Sequence, residues 1–195
     1  MVSVPGVRAI SSVLVCVAVL GALAAMALRP AGAAVRPPVP LHATATQPFV
    51  EPSGRPVRLV GVNVIPVFKD SPGRTWPRKR YDQIRAKGFT SVRFVLYWDV
   101  MEPARGRFDA TSMATLDTAV ARARSAGLRV VLDAVHLWGA GGFADVPRWA
   151  RRGDSVTTVR ANAGPYLQRL AARYRDEPAV AAYDLVNEFF RFPID

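Results

Sequence analysis

The chain has 195 residues, half of them hydrophobic, so it can bury a sizeable core, and its composition excludes a disordered polymer. One cysteine, Cys16, excludes a disulfide framework. The formal charge is +11, which favours anionic surfaces, but the arginines are scattered through "RKRYDQIRAKG", "ARARSAG" and "LQRLAARYRDE". No basic block interleaves with aromatics, so a solvated arginine-rich surface is expected and nucleic acid is not expected as a partner.

Residues 1–34 carry Arg8, a long apolar run and then Ala31-Gly32-Ala33-Ala34. A positive start, an apolar middle and small residues at the end predict a signal peptide and a secreted product. The run from Ala9 to Leu28 is also long enough to cross a bilayer, so the alternative is an anchor at residues 9–28, with a membrane as partner only if the leader is uncleaved. Without Arg8 and Arg29 the charge is +9. Residues 35–45 are rich in Pro and Ala without periodicity and read as a linker. The domain proper is expected over 46–195.

From there the pattern alternates. Pro52-Ser53-Gly54 predicts a hairpin turn running into a strand over 58–65. A helix is predicted over 77–87 with Gly88 as its left-handed cap, then a strand over 90–98. A helix over 110–127 has Thr111 or Ser112 as candidate N-cap and Gly127 as its stop, followed by a strand over 128–135. Residues 136–160 show no period. A helix over 161–178 and a strand over 179–188 complete the reading. Strands with apolar centres alternating with helices predict a parallel α/β sheet, either doubly wound or a (β/α)8 TIM barrel represented by about four units. No G-x-G-x-x-G follows the first strand. Asn63, Arg93, His136 and Asn187-Glu188 fall toward the C-terminal ends of successive strands, which in a barrel converge on one mouth.

Four stretches, "GRPVRLVGVNV", "YDQIRAKGFTSVRFVLYWDVMEPARGRFD", "GLRVVLDAVHLWG" and "YLQRLAARYRDEPAVAAYDLVNE", together resemble the first half of glycoside hydrolase family 5. The resemblance covers residues 46–192. It implies a (β/α)8 barrel that hydrolyses β-linked carbohydrate with retention, Glu188 as general acid/base and Asn187 binding the sugar 2-hydroxyl. It further implies that Arg93 holds the active-site carboxylates and that His136 lies at the substrate-binding end. Trp98, Trp138 and Trp149 are candidate stacking surfaces for a pyranose. No cofactor is expected, and neither histidine has metal-ligand spacing. Two positions depart from the family pattern. Phe189 follows Asn-Glu where the family has proline, and Asp133-Ala-Val-His136 has one residue more than the family's Asp-x-His. Since strand side chains alternate, that residue would turn Asp133 and His136 to opposite faces unless a bulge absorbs it.

A retaining glycosidase needs two carboxyl groups about 5–5.5 Å apart. The resemblance assigns the second to a seventh strand, whereas four strands are predicted here. Asp184 lies four residues before Glu188 on one strand, about 13 Å away at ~3.3 Å per residue, too far to substitute. The nucleophile is therefore expected outside this chain. The rival reading is a non-catalytic carbohydrate- or wall-binding remnant. Open strand edges predict self-association, with several of Val60, Val62, Val64, Val92, Phe94, Val131 and Val186 exposed on the inner face.

Overall fold

The computed structural model describes residues 35–136, 143, 145–154 and 156–187. Residues 1–34, on which the signal-peptide expectation falls, Trp138 and Glu188 lie outside the described residues. Four strands, β1 (Gly61–Val64), β2 (Ser91–Val95), β3 (Arg129–Asp133) and β4 (Val180–Asp184), form one parallel sheet in the order β1-β2-β3-β4. A doubly wound sheet reverses its order at a switch point, whereas a barrel adds each strand beside the last. The order found is the barrel's.

Helices α1 (Arg78–Ala86), α2 (Trp98–Met101), α3 (Ala110–Ser125) and α4 (Val156–Arg173) fall in the connections. Parallel register puts Val62, Val92, Val130 and Val180 at one level and Val64, Phe94, Leu132 and Tyr183 at another, on the helix-facing side. They pack with Tyr81 and Ile84 of α1, Leu116 and Val120 of α3, and Tyr166 and Leu170 of α4 in one apolar cluster. The inner-face expectation is thereby corrected for three residues. Val64, Val92 and Phe94 are buried under helices because alternation turns them outward from the barrel axis, and of the seven valines and phenylalanines only Val60 is exposed.

Gly88 and Gly127 have φ of 89° and 72°, the left-handed geometry that ends α1 and α3 where glycine was expected to. The cap of α3 is Asp109 rather than Thr111 or Ser112. Its Oδ1 accepts from the Ser112 N–H and from the Ser112 hydroxyl, both at 2.7 Å. Those bonds hold the Asp109 carboxyl below its ordinary pKa. α4 begins five residues earlier than expected and ends at Arg173, with Pro165 inside it. Proline removes one helical hydrogen bond there, and the burial of Val159, Ala163, Tyr166 and Leu170 along one face overrides that local cost.

The stretch read as a linker belongs to the folded unit. His42 and Val50 form an antiparallel bridge, as do Val50 and Pro56 around the Pro52-Ser53-Gly54 turn. Arg129, at the start of β3, donates to the Val39 carbonyl at 2.6 Å and to Glu51 Oε1 at 3.0 Å. A buried guanidinium thus ties this hairpin to the N-terminal end of the sheet.

β1 and β2 approach so closely that a side chain at Gly61 would place its Cβ 2.3 Å from the Ser91 carbonyl oxygen. Gly61→Ala is therefore expected to cost about 1–3 kcal/mol by overpacking. Thermal melts of the two proteins check this, and an unchanged melting temperature would mean the strands can separate without loss.

Candidate active site

Arg93 projects from the middle of β2 on the face away from the helices, level with Asn63 and Val131. Its Nε and Nη2 donate to Asp184 Oδ2 at 3.0 and 2.6 Å, and Nη2 also donates to Asn187 Oδ1 at 3.0 Å. The same Nη2 lies 3.1 Å from Asp133 Oδ2. His136 Nδ1 is 3.2 Å from that Asp133 oxygen, so five polar side chains form one connected group. Asp133 is fully buried, while Asp184 keeps 37% of its side-chain surface. Arginine suits this position because its planar fork reaches several acceptors at once and stays charged.

The residue between Asp133 and His136 that the family pattern lacks is accommodated without separating them. Regular pairing ends at Asp133, the chain bends at Val135, and His136 returns to the Asp133 side. β4 takes the same step from Asp184 to Asn187. The Ala134 N–H donates to the Asp184 carbonyl at 2.9 Å, the Asn187 N–H donates to the Val135 carbonyl at 3.0 Å, and His136 and Asn187 form a parallel bridge. A register irregularity between Val130 and Val131 gives β4 one extra residue lower down. Sequence had marked Arg93, His136 and Asn187, and the structure brings them together. Asn63 remains exposed on the wall of the cleft beside them.

That cleft has a volume of about 530 Å3, with Trp76, Tyr97 and His136 among its walls. Lys69 Nζ sits 2.8 Å from Asp99 Oδ2 and 2.7 Å from Asp145 Oδ1, joining the loops that follow β1, β2 and β3. Burial works against the Lys69 charge, but the hydrogen bonds it donates to Asp145 and Asp99, with their negative charges, outweigh it and hold its pKa above the ordinary value. Tyr97 lies edge-on to His136 with ring centroids 6.3 Å apart, and burial together with Asp145 raises its phenol pKa. Sequence reasoning missed this ion triad. Lys69 and Asp145 are 76 residues apart, and only the winding of the strands makes them neighbours. Among the described residues no group of three His, Cys, Asp or Glu side chains could hold a metal ion.

Trp98 is corrected. It is fully buried, stacked on Tyr166 with centroids 5.0 Å apart, and its indole N–H donates to Glu102 Oε2 at 2.8 Å. The chain leaves β2 after Val95 and starts α2 at Trp98, which turns the indole into the core rather than toward a sugar. Trp149 is half-buried at a second groove, described below.

Four parallel strands in sequence order, with an arginine–carboxylate–amide group where their C-terminal ends meet, define the first units of a (β/α)8-barrel enzyme. The model of the family described as cellulase (glycosyl hydrolase family 5) matches residues 50–192, and the chain belongs to that family. It is 31% identical over 162 residues to a beta-galactosidase of Xanthomonas manihotis, covering 81% of this chain and 26% of the relative. It is 33% identical over 111 residues to endoglycoceramidase I of Rhodococcus hoagii (strain 103S), covering 52% of this chain and 22% of the relative. A crystal structure of endogalactoceramidase superposes with a TM-score of 0.63 at 26% identity, covering 77% of this chain and 44% of that one. The chain therefore spans less than half the length of these relatives.

If Arg93 is the hub, its loss should far outweigh the loss of one partner. Arg93→Met is expected to lower the unfolding free energy by about 3–5 kcal/mol, because Asp133 stays buried without its cation. Asp184→Asn keeps an acceptor at a half-open position and is expected to cost about 1 kcal/mol. Urea denaturation at matched protein concentration measures both, and equal losses would contradict the hub.

Proposed function

We propose that the chain supplies the acid/base half of a retaining glycosidase site acting on β-linked oligo- or polysaccharides or glycoconjugates. The observation that carries this reading is the bond from Arg93 to Asn187 Oδ1. An amide whose oxygen is held by a guanidinium has a defined NH2 direction, the geometry asked of a group that donates to a sugar hydroxyl. Asn187 is the binding residue in this reading, and Glu188, next in sequence, is the acid that protonates the leaving oxygen. Arg93 positions the amide, and His136 and the cleft wall receive the sugar.

Asp133 and Asp184 make poor nucleophiles because both are committed to Arg93. The attacking carboxylate is assigned, by family resemblance, to a seventh strand beyond the four described. The leader is read as directing export, with membrane anchoring as the alternative. Among the described residues β1 and β4 each pair with a single neighbour, and Val60 and Leu185 beside them are 42% and 56% exposed, which supports association through those edges.

Assayed alone, the 195-residue chain is expected to release no nitrophenol from aryl β-glycosides above background, while still binding β-linked glucans. Turnover that disappears in Glu188→Gln would mean that a second carboxylate is present after all. Absence of glucan binding would remove the glycan reading altogether. On size-exclusion chromatography with light scattering the same material is expected as a dimer or larger species, and a stable monomer with a cooperative thermal transition would refute association through the edges.

A further inference from the structure

Beyond the Lys69–Asp99–Asp145 triad lies a second concavity of about 420 Å3, whose walls include Asp99, Arg105, Pro147, Arg148 and Trp149. The triad is the partition between the two spaces, because Lys69 and Asp145 line the cleft and Asp99 lines this groove. The groove thus adjoins the cleft across that contact and is built from the loops after β2 and β3.

Its chemistry differs from the cleft's. The Arg105 guanidinium lies over the Trp149 ring, 5.1 Å from the centroid, and its Nη2 donates to Asn162 Oδ1 at 2.7 Å. A ring face and a neutral amide hold that guanidinium in place without cancelling its charge. Arg148 is exposed on the opposite loop. Among the described residues neither Arg105 nor Arg148 has a carboxylate partner, whereas Arg93 has two and Arg129 has one. Asp99 is the one acid among the lining residues, against two guanidiniums, and it shares the Lys69 charge with Asp145 at 2.8 and 2.7 Å. The field in the groove is therefore positive, and its two guanidiniums are suited to forked hydrogen bonds with a carboxylate.

We propose that this groove is a subsite for an acidic sugar, the carboxylate-bearing residue of a β-linked glycan whose neighbouring sugar occupies the cleft. This rests on the glycan reading of the cleft and adds the substrate class. Its position beside the cleft favours a sugar unit over a bare anion, and Pro103 and Pro147 offer it apolar walls. The volume lies within the range of small-ligand sites, about 300–1,000 Å3.

Titration calorimetry of the chain at low salt tests it with three probes: cellobiose, the disaccharide with glucuronate β-linked to glucose, and glucuronate alone. The acidic disaccharide is expected to bind about ten-fold tighter than cellobiose, the size of one charge-assisted hydrogen bond. Arg105→Ala with Arg148→Ala should abolish that advantage and leave cellobiose unchanged. Arg148→Lys should keep part of it, since the charge remains and the fork is lost. Both arginines are exposed, and matching thermal melts confirm that the variants fold. Equal affinity for the two disaccharides overturns the subsite and leaves the cleft reading standing. Failure of cellobiose to bind is a failure of the cleft reading. Failure of glucuronate to bind in an arginine-dependent way overturns the subsite whatever cellobiose does. Inorganic phosphate competing as strongly as glucuronate also overturns it, reducing the groove to a general anion site.

Discussion

Asp133 is a carboxylate with no exposed surface, and the inner face of this sheet depends on how its charge is met. A buried charge without a partner costs several kcal/mol, and the structure answers with Arg93 on the adjacent strand and His136 three residues along. Arg93 then has donors left over, and these reach across β3 to Asp184 and Asn187 on β4. One cation thereby fixes the order, the level and the side-chain orientation of three strands at their C-terminal ends. Apolar packing at the same positions could be equally stable. It would not hold an amide in a defined orientation.

A buried arginine does related work at the opposite end. Arg129 opens β3 as Asp133 closes it, and it draws Glu51 and the Val39 carbonyl beneath the sheet. The two ends differ in what the arginine satisfies. Below, one carboxylate and one backbone carbonyl are matched, and the result is closure by a hairpin. Above, one guanidinium serves two carboxylates and an amide beside an open cleft. The polarity of function along a barrel axis is thus already present in the hydrogen-bond accounting of a single strand.

How much of this was legible in the sequence depends on range. The alternation of strands and helices follows from apolar periodicity and local stops such as Gly88 and Gly127, so it was readable. Arg93, His136 and Asn187 were readable because a family pattern marks them at strand ends. Asp184 was weighed only as a nucleophile, since nothing in "YDLVNE" reveals that a guanidinium 91 residues earlier would claim it. The added residue before His136 suggested opposite faces, a conclusion that holds only while a strand continues. Pairing stops at Asp133, and the rule stops with it. The early start of α4 was hidden because the residues before 161 were read as aperiodic, although Val159 joins Ala163 and Tyr166 in the apolar cluster. The linker reading failed similarly, because a Pro-rich stretch lacking periodicity can still dock when a buried arginine needs its carbonyl.

Trp98 shows how a residue can matter to a site without touching what binds there. Its indole is clamped by the stack on Tyr166, by the edge of Trp149 and by the bond to Glu102 Oε2. Glu102 is itself buried, and its other oxygen accepts the Gly106 N–H at 2.7 Å, so the turn after α2 is locked to the same carboxylate. Asp99 is the next residue after Trp98 and points the other way, to Lys69. α2 is only four residues long, too short to hold Asp99 in place by its own hydrogen bonds. The aromatic anchor does so instead. Burying Trp98 aims Asp99, Asp99 with Asp145 holds Lys69, and Lys69 forms the wall between cleft and groove. The tryptophan that composition suggested as a sugar platform is thus the foundation of the partition, and the open space on either side exists because that residue is unavailable to both.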